Sequence, residues 1–225
     1  MPGHSLQLVL SLPHSESFAR EDFIAGSSNS AALSLVDRWP DWPGHAVALV
    51  GPEGSGKSHL ASIWAERAGA RVLSGRALGG VDPVAALSTG ALVIEGLTPQ
   101  MVDEVSLFHL LNLVREENAH LLITTRTLPA GWPIGVRDLI SRLRALPVVT
   151  VNAPDDALLQ ALMMKLAADR QIHLDPALSS YLVQRLERSF GAVRSAIARL
   201  DREALRQKRP VSRALAAELF RNDAA

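Results

Sequence analysis

Hydrophobic positions follow two rhythms along this chain, and the change from one to the other divides it. Between residues 18 and 151, short apolar runs alternate with stretches of helical period. The runs are Ala46–Val50, Arg71–Leu73, Ala91–Ile94, His120–Thr124 and Pro147–Val151. They are nearly continuously apolar, as strands buried on both faces of a parallel sheet must be. Between them, Ser58–Ala68 places Leu60, Ile63 and Trp64 on one helical face. Glu104–Glu117 does the same with Leu107, Leu110, Leu111 and Val114. Strands alternating with helices predict an α/β sheet with right-handed crossovers. After Val151 the strand rhythm stops. Pro154-Asp155-Asp156 and Asp175-Pro176 read as helix starts, with acids at the first turn. Ser189-Phe190-Gly191 is an interruption before a helix over Ala192–Arg206. Pro210-Val211-Ser212 opens a last helix ending near Arg221. Residues 152–225 are therefore expected to form a small all-helical domain after an α/β domain over 18–151. Residues 1–17 are a leader in which Leu6, Leu8, Leu10 and Leu12 alternate with other residues up to Pro13.

Composition narrows the class without changing this picture. The chain has 225 residues, 48% hydrophobic but only 4% aromatic, so its core is aliphatic. Lys+Arg 23 balances Asp+Glu 23, which argues against a nucleic-acid binder working through overall positive charge. Strong, direct, sequence-specific DNA binding is not expected. There is no Cys, hence no disulfide framework, thiolate metal site or Cys nucleophile. No apolar run approaches the ~20 residues that span a bilayer, and the N-terminus lacks a secretory pattern. A cytoplasmic protein is expected.

One motif carries chemistry on its own. Gly51-Pro52-Glu53-Gly54-Ser55-Gly56-Lys57-Ser58 matches G-x-x-x-x-G-K-[ST] and lies between a predicted strand and a predicted helix, the context a P-loop requires. Its glycines let backbone N–H groups wrap a phosphate at a helix N-terminus, followed by His59 in the helix's first turn. Lys57 would reach the β- and γ-phosphates and the Ser58 hydroxyl would coordinate Mg²⁺. A partner acid is expected at the end of a second buried strand. Ala91–Ile94 ends in Glu95-Gly96, which offers one carboxylate for the metal and no second acid to polarise water. Nucleotide binding is thus better supported than hydrolysis. Thr124 and Thr125 close the next strand, where a hydroxyl senses phosphate or simply ends a β-run. Arg142 fits two readings, an arginine finger acting on a neighbour's nucleotide or an ordinary surface Arg. Arg194 likewise fits a phosphate-facing lid residue or a solvated helix position.

Taken together these boxes resemble the AAA+ family, and within it the DnaA-related branch. Phe18-x-x-Glu21-Asp22-Phe23-Ile24-x-Gly26-x-Ser28-Asn29 is similar to that branch's opening motif, which implies that Phe23 and Ile24 pack around adenine. Phe108-His109-Leu110-Leu111-Asn112 and Leu121–Thr125 are similar to its core helix and sensor 1 strand, Ser141-Arg142-Leu143 to its finger box, and Gly191-Ala192-Val193-Arg194 to its sensor 2 box. The resemblance spans roughly residues 18–220. It implies a five-stranded parallel sheet with helices on both faces, a helical lid, and ADP or ATP with Mg²⁺ as ligand. The leader, through Gln7, Leu8, Leu10 and Leu12, resembles a peptide that binds the β sliding clamp of DNA polymerase III. A clamp peptide with one AAA+ module, lacking DnaA's flanking domains, implies a regulator that stimulates ATP hydrolysis by DnaA. Partners implied are DnaA, the clamp and a second copy of the chain. An efficient ATPase acting alone, or a DnaA-like factor that engages DNA or a helicase, is the competing expectation.

Overall fold

The computed structural model describes residues 18–221. Five strands, β1 (Ala46–Val50), β2 (Arg71–Ser74), β3 (Ala91–Leu97), β4 (His120–Thr125) and β5 (Val148–Thr150), form one sheet in the order β2-β3-β4-β1-β5. Every pairing is parallel. Because strand side chains alternate between faces, each strand feeds two cores. Ala48, Val50, Leu92, Ile94, Leu121 and Ile123 face one side, and Val47, Leu49, Ala91, Val93 and Leu122 the other.

Helices cover both faces. α1 (Ser30–Asp37) and α2 (Lys57–Ala68) bring Ala32, Val36, Leu60 and Trp64 to the second face. α3 (Pro83–Ala86), α4 (Glu104–Glu116) and α5 (Arg137–Ala145) bring Ala86, Leu107, Leu110, Leu139 and Leu143 to the first. Burying each Leu contributes about 1.5–3 kcal/mol, so these rows account for much of what holds the layers together. α6 (Asp156–Asp169), α7 (Pro176–Val183), α8 (Phe190–Gln207) and α9 (Arg213–Leu219) then pack around a core of their own that includes Leu159, Met163, Leu182, Ile197 and Leu215. Their starts are chemically marked. The side chains of Asp155, Asp175, Ser189 and Ser212 each accept a backbone N–H from the first turn that follows.

The five strands and the four-helix end of the chain agree with the sequence-based expectation. Three differences have physical causes. β3 runs past Glu95 to Leu97, because a bulge between Ile94 and Leu97 absorbs Gly96 at φ 67° and returns Leu97 to the core. Ser189-Phe190-Gly191 starts α8, with Ser189 as its cap, and does not merely precede it. α1 and α5 were not expected as helices. α5 is short and half charged, and only Leu139 and Leu143 are buried on it. The leader residues Gln7, Leu8, Leu10 and Leu12 lie outside the described residues. Among the described residues, no helix is long and apolar enough to cross a membrane.

Candidate functional site

In an open parallel sheet, ligands collect at the carboxyl ends of the strands, where the order reverses. Here β1 lies between β4 and β5, and the segment that follows it is the P-loop. Gly54 and Gly56 adopt φ 72° and 94°, a left-handed backbone that side chains rarely tolerate. Gly51 has a different reason to be glycine: a Cβ there would stand 2.0 Å from the Val151 carbonyl oxygen. The loop therefore needs small residues for both its curvature and its seating on the sheet. Lys57 opens α2 and its ammonium donates to the Gly51 and Pro52 carbonyls at 2.8 and 2.6 Å. It also lies 3.3 Å from the Ser55 hydroxyl. Burial, and next the positive charge of Arg126, hold Lys57 below the usual ammonium range.

Above the loop is a cavity of about 760 Å³ with two unlike ends. Gly54, Gly56, Lys57 and Ser58 line one end, offering N–H groups, a cation and a hydroxyl. Phe18, Phe23, Ile24, His59 and Leu162 line the other, which is apolar and aromatic. The helical end of the chain closes it with Ser189, Phe190 and Arg194. Phe190 N–H donates to the Gly54 carbonyl at 3.2 Å, so the start of α8 rests directly on the P-loop. The Arg194 guanidinium carbon lies 5.8 Å from the centre of the Phe18 ring.

The segment leading into α1 connects the two halves. Phe23 is buried in the sheet-side core, whereas Ile24 packs against the helical core. Asp22 pairs with Lys165 of α6. Asn29 fixes the turn between them: its Oδ1 accepts Gly26 N–H at 2.8 Å and its Nδ2 donates to the Ile24 carbonyl at 3.0 Å. Gly26 fits because a Cβ would come within 3.1 Å of Leu158. His59, on the first turn of α2, contacts the Ala19 carbonyl through Nε2 at 3.0 Å and meets the Phe18 and Phe23 rings edge-on at 5.4 and 5.1 Å.

Burial pushes the His59 imidazole below its ordinary value, and the charge of Arg194 adds to this while the Ala19 contact opposes it. The unfolded state then binds the extra proton more readily than the folded one, so stability is complete above pH ~6.5 and is lost as pH falls through the lower folded value. Urea unfolding is expected to show a falling free energy from pH 7 to pH 5, with a shallower slope in His59→Gln. His120, also lowered by burial and by neighbouring His45, keeps a share of the slope in that variant. An identical slope in His59→Gln would remove His59 from this role.

Other expected site residues lie outside the cavity lining. Gly51, Pro52 and Ser55 shape the loop from beneath and do not line the cavity. Thr124 and Thr125 are buried: Thr124 Oγ1 accepts Gly96 N–H at 2.9 Å, which leaves its own O–H able to donate, and Thr125 Oγ1 donates to the Thr127 carbonyl at 3.2 Å. Glu95 is half-buried near the carboxyl end of β3. The two other acids near that end are committed elsewhere. Asp103 caps α4 through Ser106 N–H at 2.7 Å, and Glu104 accepts Gly135 and Val136 N–H at 3.0 and 2.9 Å. Arg142 is half-buried on α5, 5.3 Å from the Phe108 ring centre. It shares a shallow pocket with Gly44, His45 and Pro147, which precede β1 and β5. That is the opposite end of the sheet from its own P-loop.

No group of three or more His, Cys, Asp or Glu among the described residues could hold a metal ion. Mg²⁺ does not require one, since it keeps several waters and is bound through one or two carboxylates plus substrate phosphates. Ser58 lines the cavity and Glu95 lies outside its lining but close enough for its charge to act on Lys57, which leaves room for a metal held through water, and the glycine-lined end of the cavity fits a phosphate chain. Leu162 also lines the opposite end and Phe190 lines the cavity beside the P-loop, and sequence reasoning had not singled out either. The sequence signal for Phe190 is adjacency to the Gly191–Arg194 box, whereas Phe18 already opens the motif that contains Phe23 and Ile24.

No family model matches the chain. Solved structures do. Domain III of the replication initiation protein DnaA from Thermotoga maritima superposes with a TM-score of 0.74 at 18% identity, covering 92% of this chain and 97% of its own. DnaA from Aquifex aeolicus, bound to AMPPCP, superposes with a TM-score of 0.67 at 16% identity, over 85% of this chain and 69% of its own. The Thermotoga maritima RuvB Holliday junction branch migration motor gives 0.69 at 16% identity, over 91% and 72%. The fold is AAA+-like. Within this AAA+-like frame, the α/β layers correspond to the sheet-bearing core and α6–α9 to the helical region that follows it.

Proposed function

We propose that this protein is an adenine-nucleotide-binding factor of chromosome replication, related to DnaA, which holds ADP or ATP with Mg²⁺ in the cleft above the P-loop. The observation that carries the reading is the two-ended cavity: a glycine, lysine and serine lining at one end and an apolar, aromatic lining at the other. The phosphates would lie on the loop N–H groups and Lys57, the Mg²⁺ on Ser58 and Glu95, and the base among Phe23, Ile24 and Leu162. When bound, the metal neutralises phosphate charge. Ligand-induced stabilisation tests this reading. Ligand at a hundredfold excess over Kd stabilises by about 2.7 kcal/mol, which corresponds to roughly 5–10 °C for a domain of this size. Absence of any shift with ADP or ATP up to millimolar concentration would refute it.

Two finer readings share this core. The likeness to DnaA and RuvB structures favours the first, an AAA+ ATPase or a DnaA-like factor that acts on DNA or a helicase. The second is a regulator resembling Hda, tethered to the sliding clamp through Gln7, Leu8, Leu10 and Leu12, which presents Arg142 to ATP-bound DnaA. Its support is the position of Arg142, at the far end of the sheet from its own P-loop, where it serves a neighbour's nucleotide or none.

Turnover separates them. Gly96 stands where a water-activating acid would be, and Asp103 and Glu104 are engaged in backbone hydrogen bonds. The purified protein is therefore expected to hydrolyse ATP far below the ~1–10³ s⁻¹ usual for enzymes, whether or not DNA is present. Rapid turnover that vanishes in Lys57→Ala would favour the ATPase reading.

A further inference from the structure

We propose that the far end of the helical region holds a second binding site, a cavity between α6, α8 and the link to α9 that takes an acidic, aliphatic peptide segment of a partner protein. The cavity has a volume of about 570 Å³. Arg170, Gln171, Ile172 and His173, just past α6, form one wall. Asp201, Ala204 and Leu205 of α8 form another, and Lys208 to Val211 complete it. Both helices stop here, because Gln171 and Lys208 turn into the left-handed region at φ 57° and 51°. The site is separate from the cleft above the P-loop. Arg194 closes that cleft, and Lys208 stands about 20 Å further along α8 at 1.5 Å per residue.

The lining sets the chemistry of the occupant. Arg209 spends Nη2 on Glu218, yet its Nε is buried and meets no hydrogen-bond partner. A buried charged donor without an acceptor costs free energy, so its place on a cavity wall points to an acceptor that arrives from outside. Arg170 donates to the Leu166 carbonyl at 3.2 Å, and neither it nor Lys208 pairs with a carboxylate among the described residues. Helix ends attract cations, which accounts for Arg170 and Lys208 but not for Arg209 Nε. Much of the remaining wall is aliphatic, through Ile172, Ala204, Leu205 and Val211. Leu205 is 57% exposed. No Phe, Tyr or Trp among the described residues lines the cavity, so a nucleic-acid base has nothing to stack on. Asp201, the one carboxylate of the lining, repels a phosphate and accepts from an N–H. A peptide meets every part of this lining. Its carboxylate faces Arg209 and Lys208, an aliphatic side chain rests on Leu205 and Val211, and a backbone N–H reaches Asp201.

The test is fluorescence anisotropy of a fluorescein-labelled peptide of alternating Asp and Leu, titrated with the full chain at low salt. Wild type is expected to bind it saturably with a Kd below about 1 mM, and to ignore the same peptide with Lys in place of Asp. Arg209→Gln is expected to weaken binding about tenfold, the scale of one charged hydrogen bond. Leu205→Asp, at an exposed position, is expected to weaken it at least as much, through lost apolar contact and repulsion. Lys57→Ala is expected to bind as wild type does, because the P-loop lies elsewhere. Thermal melts check folding in each variant. Absence of saturable binding, equal affinity in wild type, Arg209→Gln and Leu205→Asp, or loss of binding in Lys57→Ala would each overturn the assignment. Oligothymidylate or phosphatidylglycerol vesicles bound in place of the peptide, and released by the same two variants, would overturn it in favour of a phosphate-bearing partner.

Discussion

Under the regulator reading, Arg142→Ala is expected to lose stimulation of ATP hydrolysis by DnaA almost completely while retaining the protein's own nucleotide binding. A guanidinium inserted at another protein's γ-phosphate contributes ~10³–10⁵ in rate, the largest single-residue effect that reading predicts. The retention of nucleotide binding follows from placement: Arg142 lies near Gly44, His45 and Pro147, beyond the amino ends of β1 and β5. The variant also loses the stack on Phe108, a contact of about 0.5–1 kcal/mol, so a melt lowered by a few degrees is expected and a collapse is not. Arg142→Lys keeps the charge without the planar fork and should recover only a small part of the rate. The same reading expects Gln7→Ala with Leu10→Ala to abolish clamp binding and spare the nucleotide. Each buried Leu of a short peptide contributes about 1.5–3 kcal/mol. DnaA hydrolysis stimulated equally by wild type and Arg142→Ala would remove the regulator reading and favour an ATPase or a DnaA-like factor.

Lys57→Ala is expected to weaken ADP binding by about tenfold to a hundredfold. Hydrogen bonds to charged groups contribute about 1.5–3 kcal/mol, and Lys57 is the cation held at the mouth of the loop by the Gly51 and Pro52 carbonyls. Burial and Arg126 disfavour its charged form in the free protein. A phosphate reverses that balance, so binding should draw a proton onto Lys57 as pH rises toward its lowered value. The variant removes this uptake along with the affinity. Its fold should persist, because the ammonium's partners are loop oxygens that remain near solvent. Unchanged ADP affinity in Lys57→Ala would place the ligand elsewhere.

The sequence made the sheet legible because parallel strands buried on both faces are written as unbroken apolar runs. The P-loop was legible because its spacing sits between such a run and a helix. The helical end was legible from its caps: Asp155, Asp175 and Ser212 mark starts that the structure confirms. What escaped was either short or tertiary. β3 hides its last residues because Glu95-Gly96 has the composition of a turn, and only the buried Leu97 reveals that the strand continues. α5 carries too few buried residues to show a period. The backbone contacts of the Thr124 and Thr125 hydroxyls, one accepting Gly96 N–H and the other donating to the Thr127 carbonyl, depend on neighbouring segments that the chain alone does not bring together. Arg209 had no motif to mark it, and its place in a cavity depends on how the ends of α6 and α8 meet.

Calorimetric titration of ADP into the purified protein with Mg²⁺ tests the central claim most directly. The two-ended cleft predicts a single saturable site, at one ADP per chain, with a micromolar or tighter Kd that weakens at least tenfold in Lys57→Ala. No heat of binding, or a site that Lys57→Ala leaves untouched, would contradict it.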